Sequence, residues 1–303
     1  MKENDLTKKE MCLSYEAFDL DGLFKESGCE NYEQFDLAIE VPVADEKPMI
    51  IPETLSDIQR IATSVDDLLE IELKIAALRA FKGYDFLFRG HSDETYKLRS
   101  TIAREQLQNT LREKEVLESF KAICKFYDYE KWRLPTFNEN LFYLGIGRHL
   151  GLHTRLLDWT ASYWKAISFL MDDNREKNGE LWVLAYDRRV VQPIDEDPFV
   201  NDDKVHILKE AYYLPNDDNP PIGILRRARQ NGYFTVQKEG LLDVPLEELA
   251  EQSGFQLIKI GIPKETKDLL DGYEGLVSVD WMYIDRNPPV LKEIEQLNEE
   301  YKR

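Results

Sequence analysis

Two short stretches concentrate the groups that could do chemistry: Phe88-Arg89-Gly90, and Thr154-Arg155-Leu156-Leu157-Asp158-Trp159-Thr160. A guanidinium is planar, permanently charged and fork-shaped, so Arg89 and Arg155 suit two-pronged contacts with phosphate or carboxylate. Gly90, at the end of the apolar run Phe86-Leu87-Phe88, lets a ligand or another backbone come close. The bland reading of Arg89 is a structural ion pair with a core carboxylate such as Asp158. In the second stretch Thr154, Arg155, Asp158 and Thr160 can all make directed hydrogen bonds, with the Trp159 indole among them. A plain helix connection would have Asp158 or Thr160 capping the next helix and Arg155 paired with Asp158. That accounts for Asp158 and less well for Arg155 and Trp159.

Other familiar constellations are missing. The sequence has no Gly-x-x-x-x-Gly-Lys-Ser/Thr phosphate loop and no His-Glu-x-x-His. Gly145-Ile146-Gly147 begins like a dinucleotide fingerprint, but Leu150 stands where the third glycine is needed and the segment reads as helix. The four histidines and three cysteines show no zinc spacing, so no metal is expected.

The elements that must position these groups can be read from periodicity. Ser64 caps a helix carrying Leu68, Leu69, Leu73, Ile75 and Leu78, which Gly83 ends. Phe86-Leu87-Phe88 follows as a buried strand with Arg89-Gly90 at its end. Helices are predicted from about Leu111 to Tyr127 and from Asn138 to Leu150, the latter stopped by Gly151. Another, starting after Asp158 or Thr160, carries Trp164, Ile167, Phe169 and Leu170. Strands are predicted at Leu181–Tyr186, Tyr233–Val236 and Phe255–Ile260, then a helix after Pro263 and a last one through Val290, Leu291, Ile294 and Leu297. Residues 192–223 read as a long acidic loop, rich in proline, with a short helix near Val205–Tyr212. The pattern predicts an α+β fold, small mixed or antiparallel sheets packed with several helices.

The chain of 303 residues is 43% hydrophobic and 32% charged, enough for a large core without staples. Residues 1–50 read as an acidic N-terminal extension and 51–303 as the domain. Cys12, Cys29 and Cys124 suit free thiols in a reducing compartment. The polar start and the lack of any long apolar segment suggest a cytoplasmic protein away from membranes. A net charge of −19 disfavours nucleic acid as a partner, while a local basic site can still hold one small phosphorylated ligand.

Three ordered blocks carry a family resemblance. Phe88-Arg89-Gly90, His91-Ser92, Tyr96-x-Leu98 and Arg104 resemble the opening of the FRG domain, named for that triplet. Arg148-His149-Leu150-Gly151-Leu152-His153-Thr154-Arg155-Leu156-Leu157-Asp158-Trp159-Thr160, then Ala166 and Phe169, resembles its second block. Arg226, Gln230, Gly232 and Phe234 resemble a third, taking the likeness across about residues 55–285. Arg148 stands where the family has glutamine and His153 where it has proline.

A more distant likeness is to ADP-ribosyltransferases, which follow an early-strand arginine with a hydroxyl-bearing segment, a helix with an Ala-x-x-Phe pattern and a residue on a later strand. That resemblance implies an ADP-ribosyltransferase-like core and NAD as cofactor, with Arg89, Arg155 and Arg226 gripping phosphates. It further implies that Gly90, Arg104, His149, Thr154, Asp158, Trp159, Thr160 and Gln230 line the ligand site, Asp158 orienting Arg155. Glu239 is the candidate for the carboxylate that stabilises charge at the ribose; its bland reading is a solvated turn residue. Arg226 in the third block is closer to tRNA 2′-phosphotransferase relatives, which also use NAD. The expectation is an NAD-using or NAD-binding enzyme of bacterial or phage conflict, a toxin or defence effector with a protein target or antitoxin as partner. Two alternatives stand beside it: a non-catalytic sensor of a nucleotide or phosphorylated metabolite, and a purely structural network of Arg89, Arg155 and Asp158.

Overall fold

The computed structural model describes residues 52–302 apart from 108, 188, 190, 192–193, 195, 200–203, 210–220, 222, 225, 227–229, 239 and 274–289. The N-terminal extension, Glu239 and much of the acidic loop therefore lie outside the described residues. In chain order the elements are α1 (Val65–Lys82), β1 (Tyr84–His91), α2 (Thr101–Arg104), α3 (Thr110–Phe126), α4 (Glu139–Leu150), β2 (Leu156–Thr160), α5 (Tyr163–Met171) and β3 (Gly179–Asp187). Then come β4 (Val205–Leu208), β5 (Gly232–Gln237), α6 (Leu246–Leu249), β6 (Phe255–Ile262), α7 (Lys264–Leu270) and α8 (Val290–Tyr301). Local chemistry sets several boundaries. Ser64 and Asp67 bond each other's backbone N–H at the start of α1, and Gly83 ends it in the left-handed region at φ 76°. Gly151 ends α4 in the same way at φ 96°.

The six strands form one curled sheet in the order β4-β5-β2-β1-β3-β6, every neighbour antiparallel. The α+β class is as the sequence predicts. The sheet is nearly divided in its middle. β1 and β3 pair along their whole length, from Tyr84 opposite Asp187 to His91 opposite Glu180. β1 and β2 pair only where Phe88 meets Thr160. Three apolar clusters follow this division. Phe86, Phe88, Val183 and Ile260 pack with α1 and α5 on one side. Leu156, Phe234 and Val236 pack with α3, α4 and α8 on the other. Leu87, Leu157, Trp159, Trp182 and Ile207 form the third, drawn from both halves. Cys124 is a free thiol buried in the helical cluster. Among the described residues no helix is long and apolar enough to cross a membrane.

Two expectations are corrected. The segment leading into α5 is a strand, so neither Asp158 nor Thr160 caps that helix. Ser162 does, its hydroxyl accepting from the Lys165 N–H. Val205–Leu208 is also a strand: Val205 and Ile207 alternate with the half-buried His206 and pair with β5, and β-branched residues at that period favour extended chain.

Gly90 packs directly against the backbone of α5. A methyl group there would sit 2.0 Å from the Ala166 carbonyl oxygen and 2.8 Å from the Leu170 nitrogen. Neither can yield without moving the helix. Gly90→Ala is expected to destabilise the fold by about 3 kcal/mol, a melting-temperature loss on the order of 10 °C. A second measurement addresses the α1–α5 interface. Glu72 is buried, with Oε2 accepting from the Trp164 indole at 2.8 Å and Oε1 without a partner. Burial pushes its carboxyl up to about 7, against a weaker opposing pull from the Trp164 hydrogen bond and Arg79. The folded state thus favours the proton, and that stabilisation is full below the usual glutamate range and is lost as pH rises through 7. Glu72→Gln should melt higher than the parent at pH 8, with the gain vanishing near pH 4. Thermal scans across that range check the sign.

Candidate functional site

Where the sheet opens, three charged side chains meet. The Arg148 guanidinium, in the last turn of α4, donates to Asp158 Oδ2 from Nε at 2.7 Å and from its terminal nitrogen at 2.6 Å. It also donates to the Thr101 hydroxyl at 2.7 Å. Arg89 comes from β1, one residue past the single β1–β2 contact. It donates to the Asp158 carbonyl oxygen at 2.7 Å and lies 3.6 Å from Asp158 Oδ2. Its Nε donates to His91 Nε2 at 3.1 Å, which fixes that imidazole as the neutral form with its proton on Nδ1. Burial, then the charges of Arg89 and Arg104, hold His91 down to about 3. Burial lowers Arg89 itself to about 10, still charged at neutral pH. For Asp158, burial alone would raise the carboxyl, but Arg148 and Arg89 together outweigh it and leave it below the ordinary value.

This cluster borders a hollow of about 620 Å³. Arg89, Gly90, Arg148, His149, Asp158, Thr160, Arg226 and Gln230 line it, with Phe88, Leu150, Phe169 and Leu291 as its apolar share. Arg226, a helical residue ahead of β5, donates to the His149 carbonyl oxygen at 3.2 Å, and the His149 ring packs on Phe234 at 5.2 Å. The Thr160 hydroxyl donates to the Gln230 carbonyl oxygen at 2.6 Å and accepts from the Ser162 N–H. The three segments that the sequence singled out thus converge on one cavity through β1, β2 and the chain entering β5.

Not every expected residue is there. Arg155 is fully buried elsewhere, held by Glu113 through Nε at 2.9 Å and a terminal nitrogen at 2.6 Å. It also donates to the Pro198 carbonyl oxygen and lies over the Phe199 ring at 4.6 Å. Asp158 therefore orients Arg148 and Arg89, not Arg155, and the expected network of Arg89, Arg155 and Asp158 divides into two. Thr154 is buried, its hydroxyl accepting from the Leu156 N–H. Trp159 lines the hollow's edge, but its indole packs in the cluster drawn from both half-sheets and donates to the Thr235 hydroxyl at 3.1 Å. Arg104 lines a neighbouring chamber that shares Arg89 and Gly90. Glu239 lies outside the described residues. Arg148 is the residue that sequence reasoning left out of the site, although its departure from the family's glutamine signalled it.

Residues 84–179 match the family model described as FRG domain. This stretch is an FRG domain. It takes in the first two of the three blocks, from β1 to the start of β3, and the third block lies beyond its end. The FRG domain therefore supplies Arg89, Arg148 and Asp158, while Arg226 and Gln230 reach the hollow from outside the matched stretch. No curated protein and no solved structure matches the chain.

Arg155 and Arg89 should separate in experiment. Arg155→Ala strands a buried Glu113 carboxylate and is expected to cost about 3–5 kcal/mol of stability. Arg89→Ala leaves Asp158 with Arg148 as partner and should cost about 1–2 kcal/mol. Denaturant unfolding of the two variants measures the contrast.

Proposed function

We propose that the hollow at the sheet's opening binds a small phosphorylated ligand of the NAD class, with Arg89 as its anchoring cation. The observation that carries the reading is the convergence of Arg89, Arg148 and Arg226 on one cavity with Asp158 as the described carboxylate at its centre. Two guanidiniums held on one carboxylate keep a net positive charge, and their orientation is fixed before any ligand arrives. Such preorganisation saves the ordering that a flexible lysine would need. The volume falls within the roughly 300–1,000 Å³ usual for small-molecule sites. Phe88, Phe169, Leu150 and Leu291 give a flat aromatic ring apolar walls while the arginines take phosphate oxygens. The ADP-ribosyltransferase likeness is supported by placement: Arg89 on β1, Thr160 at the end of β2 before Ala166 and Phe169 on α5, and the Arg226 block leading into β5.

On this reading the chain is an NAD-using enzyme acting in bacterial or phage conflict, with nicotinamide as the leaving group. The bond from nicotinamide to ribose breaks with its electron pair going to nicotinamide, and the positive character left on the ribose meets a nucleophile from a second substrate. A sensor role is the second reading, and one observation favours it. Among the described residues lining the hollow the carboxylates are Asp158, engaged by both arginines, and Asp172, exposed at the rim.

The discriminating experiment incubates the full chain with NAD, measuring binding by calorimetry and nicotinamide release by chromatography. Saturable binding is expected, weakened roughly tenfold or more in Arg89→Ala. Turnover that Arg89→Ala abolishes identifies the enzyme, and binding without turnover identifies the sensor. Absence of saturable binding by NAD and ADP-ribose at millimolar concentration overturns both.

A further inference from the structure

We propose that the chamber beside the hollow is a second site, for the base and phosphate of a free mononucleotide. The chamber is larger, about 1190 Å³, and meets the first along Arg89, Gly90 and Phe169. Four basic residues line it, Arg89, Lys97, Arg99 and Arg104, against the carboxylates of Glu105 and Asp243. Lys97, Arg99 and Arg104 differ from the arginines of the first hollow: among the described residues, the side chains of these three make no hydrogen bond and no ion pair. In a chain of net charge −19, carboxylates to pair with them are plentiful. Three neighbouring cations that face one cavity without a hydrogen bond or close ion pair are arranged for an anion that arrives from outside, and guanidiniums select phosphate oxygens.

A second feature specifies more than phosphate. Tyr96 stands on the chamber wall and is 44% exposed. The ring is held in place, its hydroxyl accepting from the Asn174 amide at 3.1 Å and its edge set against His91 at 5.9 Å between centroids. A fixed, exposed aromatic face beside cations is a stacking platform for a nucleobase whose phosphate the arginines hold. His91 is 4% exposed, lines the same chamber, and has no partner at Nδ1, leaving one donor unsatisfied at its floor. The strong negative charge of the whole molecule favours a single nucleotide over a nucleic-acid chain, since repulsion grows with each added phosphate. The shared Arg89 places a nucleotide here next to a ligand in the first hollow, as a second substrate or an effector would need.

The test titrates the full chain with AMP by calorimetry, with adenosine and inorganic phosphate as partial ligands. AMP is expected to bind saturably and more tightly than either part. Arg99→Ala with Arg104→Ala should weaken AMP roughly tenfold or more, and Tyr96→Ala about tenfold. Lys97 and Arg104 are exposed. Lys97→Glu therefore gives a folded charge reversal that should weaken AMP as well. Arg226→Ala should weaken NAD and leave AMP unchanged, which separates the two sites. The proposal is overturned if AMP fails to bind at millimolar concentration, or if it binds the Arg99/Arg104 double variant as it binds the parent. It is equally overturned if AMP is lost in Arg226→Ala but kept in the double variant, which would place AMP in the first hollow and leave the reading of that hollow intact.

Discussion

The Asp158 carboxylate, shared by Arg148 and Arg89, is the interaction on which the site depends. It joins three elements that the sheet itself hardly connects. β1 and β2 pair at one position, and just beyond it the ladder stops. Arg89 donates to the Asp158 carbonyl where a continuing ladder would have supplied an N–H. A side chain has replaced the strand as hydrogen-bond partner, and the space that the strand vacates is the hollow. A lone carboxylate would be expensive to hold there, and two arginines without it would repel each other. Each group is tolerable because of the others, and together they still carry one positive charge more than they cancel.

The Phe-Arg-Gly triplet reads as a division of labour imposed by strand geometry. Successive residues point to opposite faces. Phe88 and Gly90 face α5, the first packing edge-on against Tyr163 at 5.6 Å and the second admitting the helix backbone at a distance no side chain permits. Arg89, between them, points the other way into the site. The glycine that a sequence reader offers to a ligand is thus taken by a helix. Besides bordering both cavities it acts indirectly: close packing against α5 fixes the strand that carries Arg89.

Much of this was legible. Amphipathic spacing and caps located α1, α3, α4 and α8, and short apolar runs located β1, β3, β5 and β6. The failure that touched the site has a local cause. Asp158 and Thr160 are good helix-capping residues, and that local preference concealed a strand which only its partners β5 and β1 stabilise. The error carried into the site. Arg155 and Asp158, three apart, would be neighbours on a helix, yet along extended chain they point to opposite sides. Arg155 therefore finds Glu113 from α3, at a sequence distance that no spacing rule reveals, and Asp158 finds Arg148 instead. The arginine count in the hollow survived because a different arginine filled the vacancy.

A basic site in a strongly acidic chain also imposes a selection of its own. At 0.1 M salt, charges farther apart than about 10 Å are largely screened, so the overall field scarcely reaches a small anion already within the cavity. A long polyanion is different: its distal phosphates stay outside the cavity and meet the acidic surface directly. The closer the cations are drawn together and the more the remaining surface is negative, the more the protein favours a compact phosphate ligand over an extended one. Concentrating Arg89, Arg104, Arg148 and Arg226 around two contiguous cavities within a chain of net charge −19 is therefore a means of discrimination as well as of attraction.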